Sequence, residues 1–459
     1  MRRKENNSSF GILFILALII GGGYYLYNSP MFERKTPGIT LDTNGYWNLK
    51  QPLKLNIEDT SGIKSYKVVF KGASTEKTLY SEVPMTLSSS INILVEPPRS
   101  SYALKEKNVK IIVYAQDASK WNFLNGNSIL KEFNLKIDKR KPELVTIAHS
   151  YKINKGGSAV VIFKASDDNL KEMYIETNFG KKFKAQPFYR DGYFISLLAW
   201  PVRQEAFRAT IVAKDYAGNS SKSYVPLYLK QKNYKISRIK ISDRFLNGKI
   251  AELAQEFVET QGVENSLEQF KIINEDVRAK NEKLIHSITS EVPSGMISTF
   301  NMKKMYPLKN AIVVATFGDH RKYLYKRKFL SESYHLGLDL ASNAMASIEP
   351  QNSGDVVYSD YNGLYGNMPI IHHGLGLYTL YGHCSSVSTD KGDFVNSKQS
   401  IAKTGKSGYA MGDHLHFGVL VQGIEVRPAE WMDQTWIDIN IKNIMNEAKD
   451  IIKKDVSRS

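Results

Sequence analysis

The spacing of apolar and polar positions changes several times along the chain, and each change marks a different kind of element. Phe10 to Tyr27 is an uncharged, largely apolar run. At about 1.5 Å per helical residue it nearly spans a bilayer core. From about residue 38 the pattern becomes alternating, as in Ile63-Lys64-Ser65-Tyr66-Lys67-Val68-Val69-Phe70 and Val109-Lys110-Ile111-Ile112-Val113-Tyr114, with polar turns between. Alternation puts every second side chain on one face of a strand, and short strands at this spacing predict a β-sandwich. The features return about a hundred residues later. Asp59-Thr60-Ser61-Gly62-Ile63 corresponds to Asp167-Asp168-Asn169-Leu170, and Val113-Tyr114-Ala115-Gln116-Asp117 to Val212-Ala213-Lys214-Asp215. Two tandem sandwich modules follow, at 38–140 and 141–235.

Between 242 and 295 the period becomes helical. Ala251, Leu253, Ala254, Phe257 and Val258 recur on one face, then Phe270, Ile272, Ile273, Val277 and Ile285 among charged residues, which predicts two amphipathic helices. A spacer is the preferred reading of this segment, with a lid over a neighbouring groove as the rival. Gly-rich turns between short β-type runs then predict a β-rich domain over 305–433, followed by a helical tail at 434–459. The chain is mainly β.

Composition adds three constraints. At 459 residues, with 42% hydrophobic and 24% charged positions, the chain is a folded protein of several domains. Its net charge of +16 favours polyanionic surroundings, but no basic run or aromatic-rich nucleic-acid signature accompanies it, so nucleic acid is not an expected partner. Cys384 is the only cysteine, which excludes an intrachain disulfide. Met1-Arg2-Arg3-Lys4 precedes the apolar run. Positive charge there keeps that end in the cytoplasm and exports the rest. Residues 1–30 therefore read as a single-pass anchor in the cytoplasmic (inner) membrane, with the remaining domains outside. A cleaved signal peptide is the rival, suggested by the short Ile12–Ile20 core and Gly21-x-Gly23.

Of nine histidines, seven (His320, His335, His372, His373, His383, His414 and His416) fall in the last third. His414 and His416, two apart on a strand, share a face while Leu415 and Phe417 turn to the core. In His335-Leu336-Gly337-Leu338-Asp339 a central glycine permits a bend that turns both end groups to one point. Imidazole nitrogen and carboxylate oxygen suit a catalytic zinc, and three such ligands leave a position for water.

His335-x-x-x-Asp339, Tyr381-Gly382-His383 and His414-Leu415-His416-Phe417, in this order and spacing, resemble the lysostaphin/LytM-type peptidases. The resemblance covers about 308–433, including Gly405-Lys406-Ser407-Gly408 and Val426-Arg427-Pro428. It implies one Zn2+ held by His335, Asp339 and His416. His383 is then the general base, and His414 its oxyanion-stabilising or orienting partner, with the two roles exchangeable. It further implies a metalloendopeptidase acting on peptide cross-links of bacterial peptidoglycan, with envelope regulators as possible partners. His372 stands where the family commonly has Asp, and Asp413 where a small residue or proline is usual. His372 and His320 are expected to be structural, Tyr334 and Tyr381 to be packing, and Cys384 to be a buried thiol facing away from the metal. The sandwich modules resemble immunoglobulin-like repeats of bacterial surface proteins. Two other functional classes compete: a non-catalytic LytM-like regulator that binds the wall or activates another hydrolase, and an adhesin acting through the sandwich pair.

Overall fold

The computed structural model describes residues 8–98 and 105–457 and is mainly β. The chain forms two compact units: one holds the residues up to 142 with 168–171 and 214–220, the other holds 143–167, 172–213 and 221–459.

The first unit begins with the helix Ser8–Asn28, within which Gly11–Asn28 is long and apolar enough to cross a membrane and is wholly exposed. The β module that follows is organised by one strand, Leu53–Lys71, which pairs with Gly38–Leu41, Glu76–Glu82, Ser88–Val95 and Asn108–Asp117. The sequence predicts separate facing sheets, whereas these strands share one seven-stranded hydrogen-bonded sheet. The reason lies at Gly62, whose φ of 86° is open to glycine at little cost. The register against Ser88–Val95 shifts between Glu58 and Ile63, so the two halves of the long strand bond largely to different partners. Trp47, Ile57, Val68, Phe70, Ile111 and Val113 fill the core. The repeat seen in the sequence has a structural counterpart. Asp117 accepts from the backbone and side-chain nitrogens of Asn127 at 2.7 and 2.8 Å, and Asp215 does the same with Asn219.

In the second unit the strand Ser158–Ser166 lies between Glu143–His149 and Tyr193–Ala199, all antiparallel. The C-terminal helix Asn443–Val456 contacts this sheet, where Tyr193 Oη donates to Asp455 Oδ2 at 2.5 Å. Beside it, Trp431 Nε1 donates to Ser158 Oγ at 3.0 Å. The buried Glu430 carboxylate accepts from Asn154 Nδ2 at 2.6 Å and from the Ser158 amide at 3.0 Å.

The C-terminal sheet has eight antiparallel strands. Its path runs Ile312–Ala315, Leu338–Ala341, Leu415–Val421, Leu377–Gly382, Asn367–His372, Gly354–Tyr361, Phe394–Val395, and Ile424–Val426 pairs with Leu415–Val421. The 242–295 segment packs against the β domain. Asn265 caps a helix that runs from Ser266–Ile272 through one wide turn, Ile273–Val277, into Arg278–Ile288. It buries Phe270, Ile273, Val277 and Ile285 in one core with Tyr323, Met368, Ile370, Tyr378, Leu380 and Leu420 of the β domain. Apolar residues at helical spacing need a surface to cover, and the C-terminal sheet supplies it. Val258, expected on the apolar face, sits in a turn and is exposed.

Glu430→Ala leaves Asn154 Nδ2 and the Ser158 amide unpaired in a buried place. The expected loss is about 1–3 kcal/mol of unfolding free energy, read as a lower urea midpoint at unchanged slope.

Candidate functional site

Strand register brings the predicted site residues together. Asp339 of Leu338–Ala341 lies opposite His416 of Leu415–Val421, and His416 lies opposite Gly382 on its other side. Leu415 and Phe417 point into the core, fully buried. His335, just before the Leu338–Ala341 strand, reaches the same point. His335 Nε2 and His416 Nδ1 each lie 2.9 Å from Asp339 Oδ1 and 3.1 Å from each other.

These three atoms fit a metal ion. A carbonyl oxygen only accepts, so the 2.9 Å contact between His335 Nδ1 and the Thr316 carbonyl places the proton on Nδ1 and leaves Nε2 with its lone pair free. Acceptor atoms this close need a cation or shared protons between them. Ligands about 2.1 Å from a tetrahedral zinc stand about 3.4 Å apart, roughly half an ångström or less beyond the spacing here. Burial works to raise the Asp339 carboxyl, but hydrogen bonds and charge from His335 and His416 outweigh it and hold the group well below the usual carboxylate range.

Gly337 lies at a bend directly before the Leu338–Ala341 strand, as expected. Its backbone is outside the left-handed region, and the constraint is space: a Cβ there would lie 2.4 Å from His416 Nε2 and 2.9 Å from the Phe417 carbonyl.

His383 and His414 stand beside the triad, their ring centroids 4.8 Å apart and that of His383 5.9 Å from His416. Both offer Nε2, because each Nδ1–H donates to a backbone carbonyl: Ser407 at 2.8 Å for His383, Gly412 at 2.9 Å for His414. Burial, with smaller contributions from His416 and His414, pushes the His383 imidazole down to about 3. His414 Nε2 is 3.7 Å from Asp339 Oδ1.

The sequence reading placed His383 and Cys384 on a strand, facing opposite ways. The strand instead ends at Gly382, and His383 takes a left-handed φ of 64°, an uncommon conformation for a non-glycine residue. Its amide donates to the Tyr365 carbonyl at 2.7 Å. Cys384 is buried all the same, its Sγ donating to the Tyr381 carbonyl, and burial pushes the thiol up to about 12. That is the opposite of what a nucleophilic thiol needs.

The triad and both flanking histidines line one groove of about 460 Å³. His372 stacks on Tyr378, and His320 stacks on Tyr334 with its Nε2 3.0 Å from Glu332; neither lines the groove. Tyr381 is buried away from the groove, but Tyr334 forms part of its wall. Phe245, Lys240, Arg278 and Arg321 also line it, and the sequence reading missed all four. Arg321 could have been noticed beside Asp319-His320. Nothing local to the helix marks Arg278.

Residues 333–428 match the Peptidase family M23 profile, and that stretch contains all five predicted site residues. This region is a Peptidase family M23 domain. Curated relatives of the M23 domain include "Stage II sporulation protein Q" of Bacillus subtilis, 33% identical over 21% of this chain and 36% of the relative. Another is "DD-carboxypeptidase/endopeptidase Mpg" of Neisseria meningitidis, 32% identical over 20% and 22%. A third is "Murein hydrolase activator EnvC" of Escherichia coli, 28% identical over 24% and 26%. The chain spans about a third or less of the length of each of these relatives.

Gly337→Ala forces His416 or its strand to move. It is expected to cost about 1–3 kcal/mol, the usual range for overpacking, measured by chemical denaturation; an unchanged midpoint would show that the site yields freely.

Proposed function

We propose that this protein is a zinc-dependent endopeptidase that hydrolyses peptide cross-links of bacterial peptidoglycan, held at the membrane by its N-terminal helix with the M23 domain outside the cytoplasm. The observation that carries the reading is the complete set of five polar side chains at one groove: three converging ligand atoms and two imidazoles that present Nε2. His335, Asp339 and His416 would hold the zinc. When bound there, zinc supplies Lewis-acid polarisation of the scissile carbonyl and lowers the pKa of a nearby water.

The remaining chemistry belongs to the two flanking histidines. His383 is kept neutral by burial, and its Nδ1–H is already committed to Ser407, so its Nε2 is free to take the proton from the attacking water and return it to the leaving amine. His414 has its Nδ1–H committed to Gly412. Its Nε2 therefore donates only when the ring is protonated, and in that state it stabilises negative charge developing on the carbonyl oxygen. The deeper burial of His383 supports giving it the base role and His414 the donor role. The endopeptidase reading is supported by the similarity to the DD-carboxypeptidase/endopeptidase Mpg, and the membrane location by the length and composition of Gly11–Asn28.

A second reading, a regulator that binds the wall or activates another hydrolase, is favoured by the similarity to the murein hydrolase activator EnvC. One digestion separates the two. Purified peptidoglycan is incubated with the full chain, with and without a zinc chelator, beside His416→Ala and His383→Ala, and products are read by mass spectrometry. The peptidase reading expects new peptide ends that vanish with the chelator and with His416→Ala. His383→Ala is expected to lower the rate about 10²- to 10⁴-fold while the protein still binds zinc. No cleavage with zinc restored moves the conclusion to the regulator.

A further inference from the structure

The charged lining of the groove is unbalanced. Lys240, Arg278 and Arg321 are on its wall, and the one acid among the lining residues, Asp339, belongs to the triad. All three cations lie outside residues 333–428, so they are supplied by segments added to the M23 domain.

Their surroundings differ in a way that selects one of them. Arg321 has two carboxylates close by, Asp319 at 3.6 Å and Asp339 at 3.8 Å, and is committed to holding Asp339. Arg278 and Lys240 have no carboxylate within 4 Å among the described residues. Arg278 is also fixed in place. Its Nε and one Nη donate to the backbone and side-chain oxygens of Asn274 at 3.2 and 3.1 Å, and its guanidinium lies 5.9 Å from the Tyr409 ring. Asn274 is itself buried and anchored to the β domain, donating through Nδ2 to Ser331 Oγ at 2.8 Å and to the Glu332 carbonyl at 3.2 Å. A guanidinium held by neutral groups, with donors to spare and only the more distant Glu282, itself paired with Arg203, as a nearby acid, suits an incoming carboxylate. Lys240 ends the strand Ile236–Lys240 and reinforces the positive field in the same groove.

We propose that Arg278, supported by Lys240, forms a carboxylate-binding subsite of the groove, so that the preferred substrate is a peptide carrying a free carboxylate near the bond to be cut. Arg278 and Lys240 act here in binding and specificity, and Asn274 is a positioning residue. The inference rests on the reading that the groove takes a peptide. Two carboxylates supply this chemistry in a branched wall peptide: the terminal one and the side-chain one of a diamino acid.

The test uses a synthetic branched alanyl peptide made in four forms, with the terminal carboxylate, the side-chain carboxylate, both or neither converted to carboxamide. Binding to the full chain in neutral detergent is read by calorimetry with chelator present, so that no bond is cut, and cleavage is read separately with zinc. The free peptide is expected to bind about tenfold or more tightly than the double amide, and the single amides identify the carboxylate concerned. Arg278→Gln should remove the difference, and Arg278→Lys should restore part of it, which loss of folding would not do. Equal binding of free and doubly amidated peptide by the unmodified protein overturns the proposal, as does a full preference retained in Arg278→Gln. A peptide bound with the preference but never cut leaves the subsite standing and removes the peptidase reading instead.

Discussion

The pairing of Asp339 with His416 across two antiparallel strands is the constraint on which the site depends. Directly opposed residues on one face of such a pair have Cβ atoms about 4.5–5.5 Å apart, which lets a carboxylate and an imidazole meet at a shared point. The register is enforced by the neighbours. Leu340 opposes Leu415 and Leu338 opposes Phe417, and all four are buried. A slip of one residue would turn both leucine and phenylalanine toward the groove and the histidine into the core. Glycines complete the arrangement from both sides. Gly382, opposite His416 on the adjacent strand, and Gly337, beneath its ring, leave the space the imidazole occupies.

Around that fixed pair, backbone carbonyls decide the state of the rings. Thr316, Ser407 and Gly412 each accept a proton from an Nδ1. The same device leaves Nε2 as the working atom of His335, His383 and His414, although these rings have different tasks. What separates the tasks is environment. His335 converges on Asp339 Oδ1, burial pushes the His383 imidazole down, and His414 is less buried than His383. Chemically identical side chains thereby stand in different environments, which is what the proposed ligand, base and donor roles draw on.

This explains which features were legible in the sequence. A two-residue spacing on a strand and a His-x-x-x-Asp run state which side chains are available and which can share a face, so the five polar groups were readable. Alternation and helical periodicity likewise revealed the mainly β character and the helical segment. The carbonyls were not readable, because every residue has one and only the fold selects which face a histidine. The bend at Gly337 was readable, but the need for space there was not, because it is set by a ring some eighty residues further on. His383 illustrates the limit of local periodicity. The β pattern continues through Tyr381-Gly382-His383, yet the bond from the His383 amide to Tyr365 ends the strand there and turns the ring inward.

The helical segment shows most clearly that the working groove is larger than the motif. Its apolar face is held by the same core that supports the C-terminal sheet, so Arg278, in the first turn of Arg278–Ile288, is positioned as firmly as a residue of the sheet. Had the segment been a free spacer, an arginine on it would lose rotamer and backbone freedom on meeting an anion, and that entropic cost would offset much of the gain. Anchored through Asn274, the guanidinium has already lost that freedom on folding. The motif residues determine what chemistry the groove can perform, whereas the residues that surround it, drawn from outside the M23 domain, determine which charge it is prepared to receive.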